Sequence, residues 1–139
     1  MKLLIALALL CGAAPASAQA VEAATGNWNY LPFLKRAGTG TVSAIAVTRI
    51  HELVALGKCD LPGQSDEKLD LDVSFAVRYT PEGAVERVII PKYGCSELEG
   101  ILGGQVLALL EAGDFKPTGE NDDGWYQGVL KFESYGSPI

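Results

Sequence analysis

From Leu69 to Tyr79 the chain alternates without a break, with Leu69, Leu71, Val73, Phe75, Val77 and Tyr79 interleaved by Asp70, Asp72, Ser74, Ala76 and Arg78. A period of two sends successive side chains to opposite faces, so the segment reads as a strand with one buried and one wet face. A strand of this length and one-sided polarity needs partners at its edges and a layer over its apolar side. Thr80-Pro81-Glu82-Gly83 supplies the first partner. Its proline presets a turn dihedral and its glycine tolerates positive φ. The chain is expected to reverse there into a second strand, Val85 to Ile90, that stops near Pro91.

Ser96 followed by Glu99 has the spacing of a capping box, in which each side chain satisfies an amide left free by the first helical turn. Leu98, Ile101, Leu102, Val106, Leu109 and Leu110 then recur at helical spacing, and Gly113 is placed to end the helix. Gly103 and Gly104 each cost a helix about 1 kcal/mol relative to alanine, so close backbone packing is their expected role. An earlier stripe of Val42, Ile45, Ala46, Ile50, Leu53 and Val54 predicts another helix, capped by Thr41 and ended near Gly57. A last strand, Trp125 to Ser134, alternates Tyr126, Gly128, Leu130 and Phe132 with Gln127, Val129, Lys131 and Glu133.

The order is α-β-β-α-β. Strands running alternately down and up form an antiparallel sheet if the first is central, giving the order 2-1-3. The expected fold class is therefore α+β, a two-layer sandwich with two helices on one face of a three-stranded antiparallel sheet. The other face, with Asp70, Asp72, Arg78, Gln127 and Lys131, is expected to be solvated.

Lys2, an apolar run from Leu3 to about Ala14, and Ala16-Ser17-Ala18 have the form of a secretory signal cut before Gln19. The run is too short to span a bilayer. Acylation at Cys11 is the competing possibility, but Leu10 stands where a small residue is wanted. The expected division is residues 1–18 signal peptide, 19–40 an amino-terminal arm, 41–135 one α+β domain and 136–139 a tail. The arm holds Trp28, Tyr30, Leu31, Phe33 and Leu34 without a clear period, leaving docking and mobility both open.

The mature chain carries ten basic and seventeen acidic residues. Nucleic acid and membrane insertion are not expected of such a chain. Loss of Cys11 leaves Cys59 and Cys95, an even count that in an oxidising compartment implies a disulfide. Cys59 follows one helix and Cys95 precedes the other, so alternating elements bring both to the same end. A periplasmic or secreted location follows.

Val73-Ser74-Phe75, Pro81-Glu82-Gly83, Cys95 through Leu98, Phe115-Lys116-Pro117 and Val129 to Phe132 together resemble the C-terminal domain of TonB-type energy transducers, over about Leu69 to Ser134. The resemblance implies a hairpin, a helix and a returning strand joined through an aromatic-basic-proline corner. It also implies an edge that pairs with a short segment of an outer-membrane protein. The family's transducers keep an uncleaved anchor and a proline-rich spacer. Neither is read in this sequence, so binding is the expected function and a transducer role is left open.

No catalytic constellation and no cofactor or metal motif stands out. His51 flanks the first helical stripe and reads as a boundary residue. The spacing of Cys59 and Cys95 suits neither a redox pair nor zinc. Asp70 and Asp72 share a strand face, where alternating charge is the ordinary cause. Glu120-Asn121-Asp122-Asp123-Gly124 is rich in oxygen ligands but lacks the spacing of a calcium loop, so it reads as a turn. Trp125, Tyr126, Val129 and Lys131 are the expected binding residues, on the edge strand, for a peptide or protein of the cell envelope. The alternative is a small periplasmic enzyme or ligand carrier with a cleft between the arm and the 120–126 loop; a purely structural or inhibitory role is a third. A cleft lined by convergent polar groups favours the alternative, and an unobstructed last strand favours the first.

Overall fold

The computed structural model describes residues 20–65, 67–119 and 123–135. The signal segment, the Cys11 alternative, the tail and residues 120–122 of the acidic loop lie outside the described residues. The elements in order are β1 (Ala20–Ala24), β2 (Lys35–Arg36), α1 (Ala44–Ala55), β3 (Lys68–Tyr79), β4 (Val85–Pro91), α2 (Ser96–Glu111), β5 (Phe115–Lys116) and β6 (Trp125–Tyr135).

The alternating segment is β3, and it is central. It pairs antiparallel with β4 and, along its whole length from Lys68↔Tyr135 to Arg78↔Trp125, antiparallel with β6. Thr80 and Gly83 close the hairpin through a 2.8 Å bond from the Gly83 amide to the Thr80 carbonyl, with Gly83 at φ +87°. The expected order 2-1-3 is thus present but incomplete, because β1 adds to the far side of β4. The result is a mixed sheet of four strands, β1-β4-β3-β6. β1 runs parallel to β4, with Ala20 opposite Arg87 and Ala24 opposite Pro91. A second, two-stranded sheet joins β2 to β5. The purely antiparallel three-stranded sheet is corrected accordingly. Ala-Val-Glu-Ala-Ala has little strand propensity of its own, and only the bare edge of β4 makes it a strand.

Both helices pack on the apolar face of β3, where Phe75, Phe132, Ile50, Leu53, Leu69, Ile90, Leu98 and Leu102 are fully buried in one core. Helix α2 ends as expected, with Gly113 at φ +79° just past its cap. Its start differs, since Cys95 holds the cap position without a side-chain bond. Glu99 instead reaches back to the Tyr93 amide at 2.5 Å and the Gly94 amide at 3.0 Å. A Cβ on Gly103 would lie 2.5 Å from Val21 Cγ1, so this glycine lets β1 approach the helix; Gly104 has nothing within 4 Å and no such role.

Helix α1 is capped by Ser43, whose hydroxyl accepts from the Ala46 amide at 3.4 Å, two residues later than Thr41. The stripe and the reading of His51 as a boundary residue are corrected with it. Ile45 is 84% exposed, whereas Val47 and His51 are buried. His51 Nε2 lies 2.9 Å from the Ser65 carbonyl, a partner from the following loop that makes an interior place tolerable for a polar ring. Cys59 and Cys95 form the expected disulfide, with Cα atoms 5.7 Å apart. It ties the end of α1 to the start of α2.

Candidate functional site

The second face of the sheet is only partly solvated. Asp72 and Arg78 are exposed and Asp70 partly so, but Gln127 retains 2% exposure because the chain from Trp28 to Leu34 crosses above it. That crossing is fixed at one residue. The Gln127 amide donates to the Pro32 carbonyl at 2.9 Å, and its own carbonyl accepts from the Leu34 amide at 2.8 Å. Phe33 thereby forms a parallel bridge with Gln127. The Gln127 side-chain nitrogen donates to the carbonyls of Asn29 and Leu31. A buried amide with partners at every turn is a clip, not an exposed polar residue.

A second latch holds the arm further on. The Asp114 carbonyl accepts from the Ala37 amide at 2.8 Å, and its carboxylate accepts from the Gly40 amide at 3.1 Å. Arg36 lies over the Phe115 ring with its guanidinium carbon 4.7 Å from the centroid. The Asp114-Phe115-Lys116-Pro117 corner therefore anchors the arm.

Because Gln127 directs both main-chain groups away from β3, strand alternation gives Val129, Lys131 and Glu133 the same outward direction. β6 is the last strand of the sheet on this side. Past the arm, Val129 is 48% exposed. Lys131 sits between Asp70 at 3.0 Å and Asp72 at 3.6 Å, which raise its pKa, the hydrogen bond to Asp70 contributing most. Trp125, Val129 and Lys131, all named from the sequence, thus share one face of one strand. Tyr126 turns to the other face: it is 4% exposed, its ring meets Tyr79 edge-on at 5.9 Å, and its hydroxyl donates to Gly119 at 3.0 Å. Burial pushes the neighbouring Tyr79 hydroxyl up to about 12.

Between the arm and the sheet lies an open cleft of about 370 Å³, lined by Trp28, Tyr30 and Trp125 over a floor of Ala76 and Ile89, with Asn27 at its wall. Beside it Arg87 pairs with Glu22 and reaches over the Trp125 ring at 5.6 Å. Sequence reasoning placed a cleft near the arm and the 120–126 loop but not its residues. The available signal was that the chain holds only two tryptophans, one on each side of that junction.

Among the described residues no three His, Cys, Asp or Glu side chains come together to hold a metal, and no helix is long and apolar enough to cross a membrane. The fold and site define a small α+β module with a partly open sheet edge and an aromatic cleft. No protein-family model, curated protein or solved structure matches this chain.

Proposed function

We infer that the protein is an exported, disulfide-bonded interaction module that captures an extended peptide of an envelope protein along β6, as its resemblance to the TonB C-terminal domain implies. One observation carries this reading. The edge of β6 already takes an added segment, since Pro32 and Leu34 satisfy both main-chain groups of Gln127. The outward groups of Val129, Lys131 and Glu133 repeat that geometry along the remaining length. Main-chain pairing would supply affinity, with exposed Val129 and the Lys131 charge cluster reading the side chains of the ligand. Lys131 and Glu133 also disfavour edge-to-edge association between copies.

The test is a photo-reactive side chain at Val129 in cells exporting the protein. It is expected to trap an envelope polypeptide, with amide protection at Val129, Lys131 and Glu133 in the adduct. Protection limited to residues 24–31, with β6 unchanged, supports the ligand-carrier alternative instead. That alternative has the cleft in its favour, and its lining is aromatic more than polar.

A further inference from the structure

We propose that the cleft between the arm and the sheet binds an uncharged saccharide, with sugar rings stacked against Trp28 and Trp125. This goes beyond peptide capture at β6, because the crossing of the arm at Gln127 separates the cleft from the strand edge.

The chain has two tryptophans, and both line this cleft, although they stand 97 positions apart in sequence. Both remain partly accessible, and Tyr30 at the mouth is 81% exposed. Partly accessible aromatic rings in a concave site offer broad apolar contact with a polar rim, which suits a ligand whose own surface is apolar on its faces and polar at its edges. A pyranose ring has that form, with C–H faces and equatorial hydroxyls. The floor of Ala76 and Ile89 is apolar and shallow, so such a ring can lie flat without displacing a core side chain.

The wall is built in advance. The buried Gln127 amide holds the Asn29 and Leu31 carbonyls, which fixes the turn that carries Trp28 and Tyr30. A site whose backbone is already clipped loses little freedom when it is filled.

Charge narrows the class of ligand. Two cations flank Trp125, and neither keeps a net charge to attract an ion: its cross-strand neighbour Arg78 is paired with Glu86, and Arg87 with Glu22. The pair of Arg87 and Glu22 still presents a donor and an acceptor together. A hydroxyl both gives and accepts hydrogen bonds, so vicinal hydroxyls can engage both members. A proline-rich segment, the other usual occupant of aromatic grooves, lacks amide donors at its prolines and can engage only the Arg87 side of that pair.

Since both tryptophans line the cleft, tryptophan fluorescence reports on this site. The mature chain is titrated with neutral trisaccharides of N-acetylglucosamine, glucose and galactose, and separately with decaproline. A saturable change with at least one trisaccharide is expected, together with weakening of roughly tenfold in both Tyr30→Ala and Glu22→Gln. Tyr30 is too exposed for its loss to unfold the chain, and circular dichroism checks both variants. No response to any of the trisaccharides, a response to decaproline alone, or a saccharide response unchanged in both variants overturns the proposal. Crosslinking at Val129 reports on the strand edge independently, so failure here leaves the peptide reading standing.

Discussion

The two faces of the central sheet are covered by opposite means. On one side, α1 and α2 bring apolar stripes at helical spacing onto Leu69, Val73, Phe75 and Val77, and the cover is continuous and dry. On the other, a stretch with no periodicity is held by hydrogen bonds to Gln127 and Asp114, and the cover is narrow. Hydrophobic burial distributes stability over many residues, whereas a clip concentrates it in one or two. The first face should therefore set global stability and the second should open locally.

Truncation in the helix-side core gives the largest expected effect. Phe132→Ala should lower unfolding free energy by about 3–5 kcal/mol, seen as a shifted urea midpoint. The disulfide belongs to the same side. Replacing Cys59 and Cys95 together by alanine should cost about 2–4 kcal/mol, and both values are read against the same native baseline. If either change instead freed the arm while leaving the midpoint in place, the division between the faces would fail.

Gln127→Ala tests the other side. It leaves the carbonyls of Asn29 and Leu31 without their partner, at about 1–3 kcal/mol if the arm stays docked. The sharper expectation is kinetic, with limited proteolysis near residues 25–34 appearing well before global unfolding. Cleavage that begins only at the global midpoint would mean that the arm and core unfold as one unit.

Tyr79→Phe should have the smallest effect at neutral pH, within about 1 kcal/mol, because the buried hydroxyl has no partner among the described residues. Its signature lies in alkali. The folded state holds this phenol protonated to about pH 12, while an unfolded chain releases the proton near its ordinary value of 10.0. Stability is therefore full below pH 10 and falls as pH rises toward 12, since the unfolded state binds fewer protons there. The phenylalanine variant should lose that part of the alkaline slope in a denaturation series.

The same contrast explains what could be read from the sequence. The strand from Leu69, the Thr80 to Gly83 turn, the stripe of α2 and the alternation after Trp125 are local patterns, and β3, β4, α2 and β6 stand where those patterns put them. Cys59 and Cys95 followed from the positions of the helices. β1 and β2 had no such signature, because each depends on a partner far along the chain: Val21 on Val88, and Arg36 on Phe115. His51 was misread for a related reason, its partner being a loop carbonyl that periodicity does not register. Around the candidate site, the shared strand face of Trp125, Val129 and Lys131 was legible from alternation. Trp28, Gln127 and Asp114 were not, since nothing in their own neighbourhoods says that they meet.

The parallel pairing of β1 with β4 has a consequence in time. Ala20 and Arg87 lie 67 positions apart, so β1 has no place to dock until the hairpin it completes has formed. Until then the outer side of β4, with Val88, Ile89 and Ile90, is a bare hydrophobic strand in a half-made molecule. Glu86 and Arg87 put charge on that strand, and Pro91 at its end offers no donor to a wrong neighbour. Those three residues would guard the edge of β4 in the interval before β1 arrives to cover it.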